Sequence, residues 1–298
     1  MQQRVERPRP VTDTFPGPVQ ELSPVLYALP RLEIGPAASG SDAPPGEVRQ
    51  RWFDHDGRLI ATGGRQAASW WMHWAGLATF WFGESGDVRA EPRRDGFDSD
   101  LHDIFTRGVT PVVLLARGFE GLHASAVESD RGAVAFVGTS GTGKSTTALA
   151  VASTGLIHTA DDTVVYQVLN GAAVAVSLPF PVRVESSVRS ALAPSTRHDA
   201  GNRQGRRAAF ARIYHMVRDG SVDPAEPTFV PVPPHARFEL LLAHAHPFEM
   251  GTEGRNRAFM ENLLTVARSI DVWECRFAPG LSALPSLAAA IRAHVDSL

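Results

Sequence analysis

Residues 132–162 read GAVAFVGTSGTGKSTTALAVASTGLIHTADD, and the reading of this stretch decides the fold class. Ala133 to Val137 is a short unbroken apolar run, the pattern of a strand buried on both faces. It leads into Gly138, Thr139, Ser140, Gly141, Thr142, Gly143, Lys144 and Ser145, which fit GxxxxGK[ST]. The Ala-rich STTALAVAST that follows reads as a short helix stopped by Gly155. Strand, glycine loop and helix in that order are the context in which this motif cradles phosphate. The glycines let successive backbone N–H groups turn inward, and the helix N-terminus adds its partial positive charge to the anion site. Lys144 is expected to bridge the outer phosphates of a nucleotide, with Thr146 continuing the cradle and the Ser145 hydroxyl ligating Mg²⁺.

Residue usage supports that reading. Of the 29 basic residues, Lys144 is the single lysine. A bias towards arginine accounts for the others but not for this exception, which stands where a compact ammonium must fit between phosphates. Asp161 and Asp162 close the strand-like LIHTADD, seventeen and eighteen residues after Lys144, and can return to the phosphate mouth. Two adjacent carboxylates there, Asp161 and Asp162, suit two tasks: holding Mg²⁺, directly or through water, and removing a proton from an attacking hydroxyl.

The run LHASAV, then AVAFVGTSGTGKSTTALA, then TADD resembles the kinase domain of HPr kinase/phosphorylase, which shares its nucleotide-binding fold with phosphoenolpyruvate carboxykinase. It is similar also to the HPr-kinase-related enzymes found beside peptide natural-product genes, lasso-peptide tailoring kinases among them. The likeness covers residues 119–166 with specific motifs. It implies that His123 lines the active site, that Asp162 is the base for a serine hydroxyl, and that Ser145 binds the metal; Asp161 is then assigned to metal and water positioning. Whether His123 orients an aspartate or touches the phosphoryl group stays open. The glycine-rich signature that engages HPr is absent, its place taken by LPFPVRVESSVRSAL, which argues against HPr as the substrate; Glu185 falls near that family's metal-linked glutamate.

Phosphoryl transfer needs positive charge on the moving group beyond Lys144 and Mg²⁺. Arg183, after a proline-fixed turn, is the first candidate and Arg212 the second, with Arg206, Arg207 and Arg255 behind them. The basic stretch from Ser195 to Asp219 reads as irregular, a flap, an arm towards a partner or a solvated helix face. His244 and His246 alternate on FELLLAHA, read as a strand, and form a weak pair of metal-ligand candidates. Cys275 reads as a small buried hydrophobe.

Elsewhere the chain is an ordinary globular one, with 43% hydrophobic and 20% charged residues and a formal charge of -3. Interspersed charge argues against nucleic acid and anionic membranes as partners. A lone cysteine, no signal-like apolar core at the N-terminus and no long apolar run point to a cytoplasmic chain. Three regions follow: a Pro/Gly-rich leader over 1–46, whose VLYALPRLEI is expected to dock on the body or a neighbouring subunit; a β-rich subdomain with a helix over 47–118, holding Trp52, Trp70, Trp71, Trp74 and Trp81 as its core; and a kinase domain over 119–298. Within the last, TVVYQVL and AAVAVSL form a hairpin around Asn170 and Gly171, and RAFMENLLTVARS and LPSLAAAIRAHV form helices. The expected fold is α/β: a P-loop kinase of the HPr kinase/phosphoenolpyruvate carboxykinase type, its mixed sheet flanked by helices. The expected activity is ATP- and Mg²⁺-dependent phosphorylation of a hydroxyl, serine first, on a peptide or small protein. A metabolite kinase and a nucleotide-sensing module are the alternatives, and a homo-oligomer stays open.

Overall fold

A computed structural model of the chain describes residues 27–38, 42–54, 56–178 and 204–297. The β-rich part is a six-stranded sheet in the order β1-β6-β5-β4-β3-β2. Its strands are β1 (Leu32–Ile34), β2 (Val48–Phe53), β3 (Leu59–Gln66), β4 (Ser69–Trp74), β5 (Ala78–Phe82) and β6 (Val88–Pro92). β2 to β6 form an antiparallel meander, its four turns carrying the positive-φ residues Gly57, Ala67, Gly76 and Gly86. The docking expected of the leader is seen at β1, which adds parallel to β6, and at Tyr27, whose ring meets Phe119 edge-on at 4.7 Å.

Residues two apart on a strand share a face, so Trp70 and Met72 of β4 join Phe80 and Phe82 of β5 on one side of this sheet. That side is covered by α1 (Asp98–Ile104), a π-helical turn (Phe105–Val109) and α2 (Thr110–Ala116), through Leu101, Phe105, Val109 and Val113. Pro111 falls where the π-helical turn passes into α2, and the i→i−5 bond from the Thr110 N–H to the Phe105 carbonyl already interrupts the α-helical ladder there.

The second sheet carries the glycine loop. Its central strands are β8 (Ala124–Ser129), β9 (Gly132–Val137) and β13 (Arg207–Arg218). β8 and β9 pair antiparallel across a tight turn, and β9 and β13 run parallel, so their C-terminal ends open at the same edge. β10 (Ile157–Ala160) lies outside β8, antiparallel to it. On the other side β11 (Val164–Leu169) and β12 (Ala172–Val176) form the hairpin around Asn170, with φ 51°, and Gly171, with φ 80°. β7 (Glu120–Leu122), β14 (Thr228–Pro231), β15 (Ala245–His246) and β16 (Val272–Phe277) complete it, β16 running parallel to β13.

Helices cover both faces of this sheet. α3 (Lys144–Ser153) and α6 (Leu284–Asp296) bury Val151, Leu287 and Ile291 against Phe136 and Tyr214. On the opposite face α5 (Glu253–Ser269) buries Phe259, Leu263 and Val266, with α4 (Pro234–Leu242) beside it. Truncating one such side chain to alanine removes about 2–5 kcal/mol. The architecture is thus mixed α/β with two helix-flanked sheets.

Two expectations are corrected here. FELLLAHA is not a strand: Phe238 to Leu242 belong to α4, which Pro234 starts, and only Ala245 and His246 are extended. The basic stretch from Ser195 to Asp219 is not irregular where it is described, since 207–218 form β13, a central strand of the sheet that buries Phe210, Ile213, Tyr214 and Met216. Arg207 and Arg218 are its two ends, and Arg212 is buried in its middle.

Candidate functional site

The loop Gly138 to Gly143 lies between β9 and α3. Gly143 precedes the helix with φ 100°, a left-handed conformation that lets the chain enter α3 while its N–H groups face inward. Gly138, at φ 155°, passes so near β13 that a Cβ there would sit 3.1 Å from the Met216 carbonyl oxygen. The Thr142 hydroxyl donates to the Thr139 carbonyl at 2.6 Å and tightens the loop.

Lys144 is 6% exposed, and its three protons have three acceptors: the carbonyls of Gly138 at 2.9 Å and Thr139 at 3.2 Å, and Nε2 of His123 at 3.0 Å. Burial pulls its pKa below the ordinary lysine value, opposed by the charges of Asp162 and Asp161. His123 stands at the bend between β7 and β8. Its Nδ1 lies 3.1 Å from the Asp162 carbonyl oxygen. The tautomer follows: Nδ1–H donates to that carbonyl while Nε2 accepts from the ammonium. Burial lowers the His123 pKa, the Lys144 charge lowers it further, and the neutral ring is the form this geometry needs.

The two aspartates lie at the end of β10, which runs beside β8. Asp161 is buried, and its Oδ1 accepts from Ser125 Oγ at 2.8 Å; that same hydroxyl lies 3.4 Å from Ser145 Oγ. Asp162 is turned the other way, its side chain 84% exposed. The Thr163 N–H donates to the Asp161 carbonyl at 2.7 Å, so Asp162, at φ 64°, is the middle residue of a three-residue turn of the rare strained hand. That turn separates the two carboxylates: one points into the protein beside Ser145, the other into solvent at the loop mouth.

Two cavities meet there. One of about 540 Å³ runs along the glycine loop to Arg218, Phe277 and Leu284. Another of about 490 Å³ lies towards the six-stranded sheet, between Trp74, Arg107 and Asp161. Ser145 and Asp162 border both.

No protein-family model matches the chain, and no curated protein does. Among solved structures it is similar to the Hpr(Ser) kinase/phosphatase from Coxiella burnetii, at 15% identity over 59% of this chain and 97% of that one, with a TM-score of 0.34. At that score the likeness carries no weight, and the functional reading rests on the geometry.

The arginine candidates are redistributed by the structure. Arg183 and Glu185 lie outside the described residues. Arg212 does not reach the loop: it is buried on β13, donates to the His294 carbonyl at 2.9 Å and lies over the Trp273 ring. Arg206 pairs with Glu128 at 2.9 Å, and Arg206 and Arg207 border a cavity at the far end of β8 and β9. Arg255 is tied to the buried carboxylate of Glu120. Cys275 is buried, as expected.

The arginine at the mouth is Arg218, which sequence reasoning missed. Its Nε donates to the Thr142 carbonyl at 3.0 Å. The signal was its place at the C-terminal end of a strand parallel to the loop strand, invisible while that strand was read as irregular. Ser125 was missed as well; it stands in β8, two residues after His123.

His244 and His246 do not form a metal site, and no group of three ligating side chains does among the described residues. Instead the His246 ring meets that of His123 at 5.5 Å and the His244 ring meets that of His215 at 5.7 Å. Burial lowers the pKa of all three added histidines; for His244, with His215, Lys144 and His123 adding to the effect, it falls to about 4.

Proposed function

We propose that the protein is a phosphotransferase that moves the γ-phosphoryl group of ATP, with Mg²⁺, to a hydroxyl, a serine of a peptide or small protein. The observation that supports this best is the position of Asp162, an exposed carboxylate beside Lys144 and His123 and on the border of two cavities. One cavity has the glycine loop for the triphosphate and the other has room for an acceptor.

The donors present fit Mg²⁺. This ion takes hard oxygen ligands and keeps waters and substrate oxygens in its shell, so one hydroxyl and one or two carboxylates suffice from the protein. Ser145 Oγ and the Asp161 carboxylate, joined through the Ser125 hydroxyl, are such a set. When bound, the ion would neutralise charge on the phosphate oxygens.

The chain's own residues do the rest. The loop N–H groups hold the phosphates, and Lys144 exchanges one of its three acceptors for a phosphate oxygen, a stronger partner for an ammonium than a carbonyl. The Asp162 carboxylate takes the proton of the acceptor hydroxyl. That oxygen forms the new P–O bond as the bond between the γ-phosphorus and the bridging oxygen breaks, its electron pair leaving on ADP. Neutral His123 holds the Lys144 ammonium from one side and the Asp162 backbone from the other, and so fixes the spacing of donor and base.

The test is transfer of labelled phosphate from ATP to a mixed pool of serine peptides. Asp162→Asn keeps ATP binding and loses about 10²- to 10⁴-fold in transfer, the scale of general-base catalysis. Transfer by this variant at the unaltered rate refutes the assignment. Tight ATP binding with no transfer by the unaltered protein points to a nucleotide sensor instead.

A further inference from the structure

Among the described residues, none of the six-stranded sheet borders the glycine-loop cavity, yet this sheet walls the second one. Ile60 of β3 and Trp74 of β4 form one side, Ile104 and Arg107 the other, and Asp161 and Asp162 the floor. We propose that this cavity is the acceptor subsite, and that it takes a polypeptide serine with a bulky apolar side chain close to it in sequence. This rests on the phosphoryl-transfer reading above.

Four observations carry it. The cavity ends on the exposed carboxylate of Asp162, where an entering hydroxyl is needed, and at about 490 Å³ it is far larger than a serine side chain alone requires. Its wall is shaped for an apolar guest: Trp74 is seated on Gly108 of the π-helical turn, where a Cβ would come within 2.9 Å of the indole. A π-helical turn inside a helix recurs at functional sites, and here it sets both Gly108 and Arg107 against the cavity.

Charge limits the guest. Among the described residues, Asp103 and Asp162 border the cavity beside the metal-side Asp161, with Arg107 bound to Asp103 at 2.9 Å. A phosphorylated or carboxylated metabolite would meet the Asp103 and Asp162 carboxylates there, whereas a neutral peptide segment carries no charge for them to repel.

The apolar surface continues outside. Phe53 and Leu59 face each other across β2 and β3 and are 56% and 52% exposed, and Ile60, the next residue of β3 and 41% exposed, lines the cavity itself. In the connection between the two strands Asp54 Oδ1 accepts the N–H of Arg58 at 2.8 Å and of Asp56 at 3.0 Å. Exposed apolar side chains next to a residue that lines the opening mark a docking surface, and the Leu59–Ile60 step along β3 assigns it to the acceptor chain.

The experiment uses the full chain, Mg²⁺, labelled ATP and a positional library of serine-centred peptides, with a parallel pool of neutral sugars and nucleosides. The expected result is that peptides carrying Leu, Phe or Trp within three residues of the serine exceed glycine-flanked ones about tenfold or more in kcat/KM, the scale of one buried apolar side chain. Ile60→Asp, and separately Leu59→Asp, bring that ratio to within about twofold; both positions are exposed, so folding is not at stake. Equal use of both peptide sets, a preference untouched by both variants, or transfer to the small-molecule pool instead overturns the inference and leaves the phosphotransferase reading standing. No transfer to either pool overturns both.

Discussion

Replacing Glu120 is expected to unfold the protein at a much lower temperature, and the structure gives the size of the effect. The side chain is 1% exposed and accepts three hydrogen bonds: from Arg255 Nη1 at 2.8 Å, Arg255 Nη2 at 2.7 Å and Asn262 Nδ2 at 2.8 Å. Arg255 belongs to α5 and also donates to the Phe119 and Leu115 carbonyls, so this one guanidinium fastens α5 to the end of α2 and the start of β7. Glu120→Ala leaves Arg255 largely buried with its charge uncompensated, a loss of about 3–5 kcal/mol for breaking a buried pair from one side. At about 2–4 °C per kcal/mol for a chain of this size class, the melting temperature falls by roughly 6–20 °C. Replacing both partners by apolar residues, as in Glu120→Leu with Arg255→Met, costs less than Glu120→Ala alone, because no charge is stranded. Differential scanning calorimetry on the single and double variants reads this directly. A fall in Tm below about 3 °C for Glu120→Ala, or a double variant less stable than the single one, refutes the reasoning. A large change in ATP affinity for Arg255→Met with an unchanged Tm would return Arg255 to the phosphate-binding role the sequence suggested.

Two further predictions concern the loop and the buried histidines. Arg218→Ala removes the charged donor to the Thr142 carbonyl and the cation at the mouth. Such a bond contributes about 1.5–3 kcal/mol, so kcat/KM for ATP falls roughly ten- to a hundredfold; a change within twofold in steady-state kinetics refutes it. Stability should fall in acid, because burial lowers the native pKa of His73, His123, His215, His244 and His246 below 6.5. The unfolded chain then binds more protons, so their contribution is complete above about pH 6.5 and is lost as pH falls towards about 4, the native value of His244. Urea midpoints measured at pH 7.5, 6 and 5 should drop in that order, and a flat series counts against neutral native histidines.

The loop from Gly138 to Ser145 was legible because its demands are local: a buried strand, glycines with positive φ, a helix start and one ammonium, all within about a dozen consecutive residues. The hairpin at Asn170–Gly171 was legible for the same reason, since its turn chemistry lies in two residues. FELLLAHA was misread because a short apolar run fits a strand and a helix equally; Pro234 at the first turn of α4 was the overlooked arbiter. The stretch containing β13 was misread because Arg207, Arg212 and Arg218 hide a core strand. Arg212 is buried there because the His294 carbonyl and the Trp273 ring receive it, partners more than sixty residues away.

The sequence by itself determined the glycine loop between a strand and a helix, its lysine, the carboxylate pair and the α/β class, each written in short-range pattern. Only the tertiary structure decided which arginine reaches the loop, which aspartate faces solvent, and that the six-stranded sheet walls the second cavity. Those outcomes depend on which strands become neighbours and on the direction of one strained turn. Pairing across long loops leaves no periodic mark on a single chain.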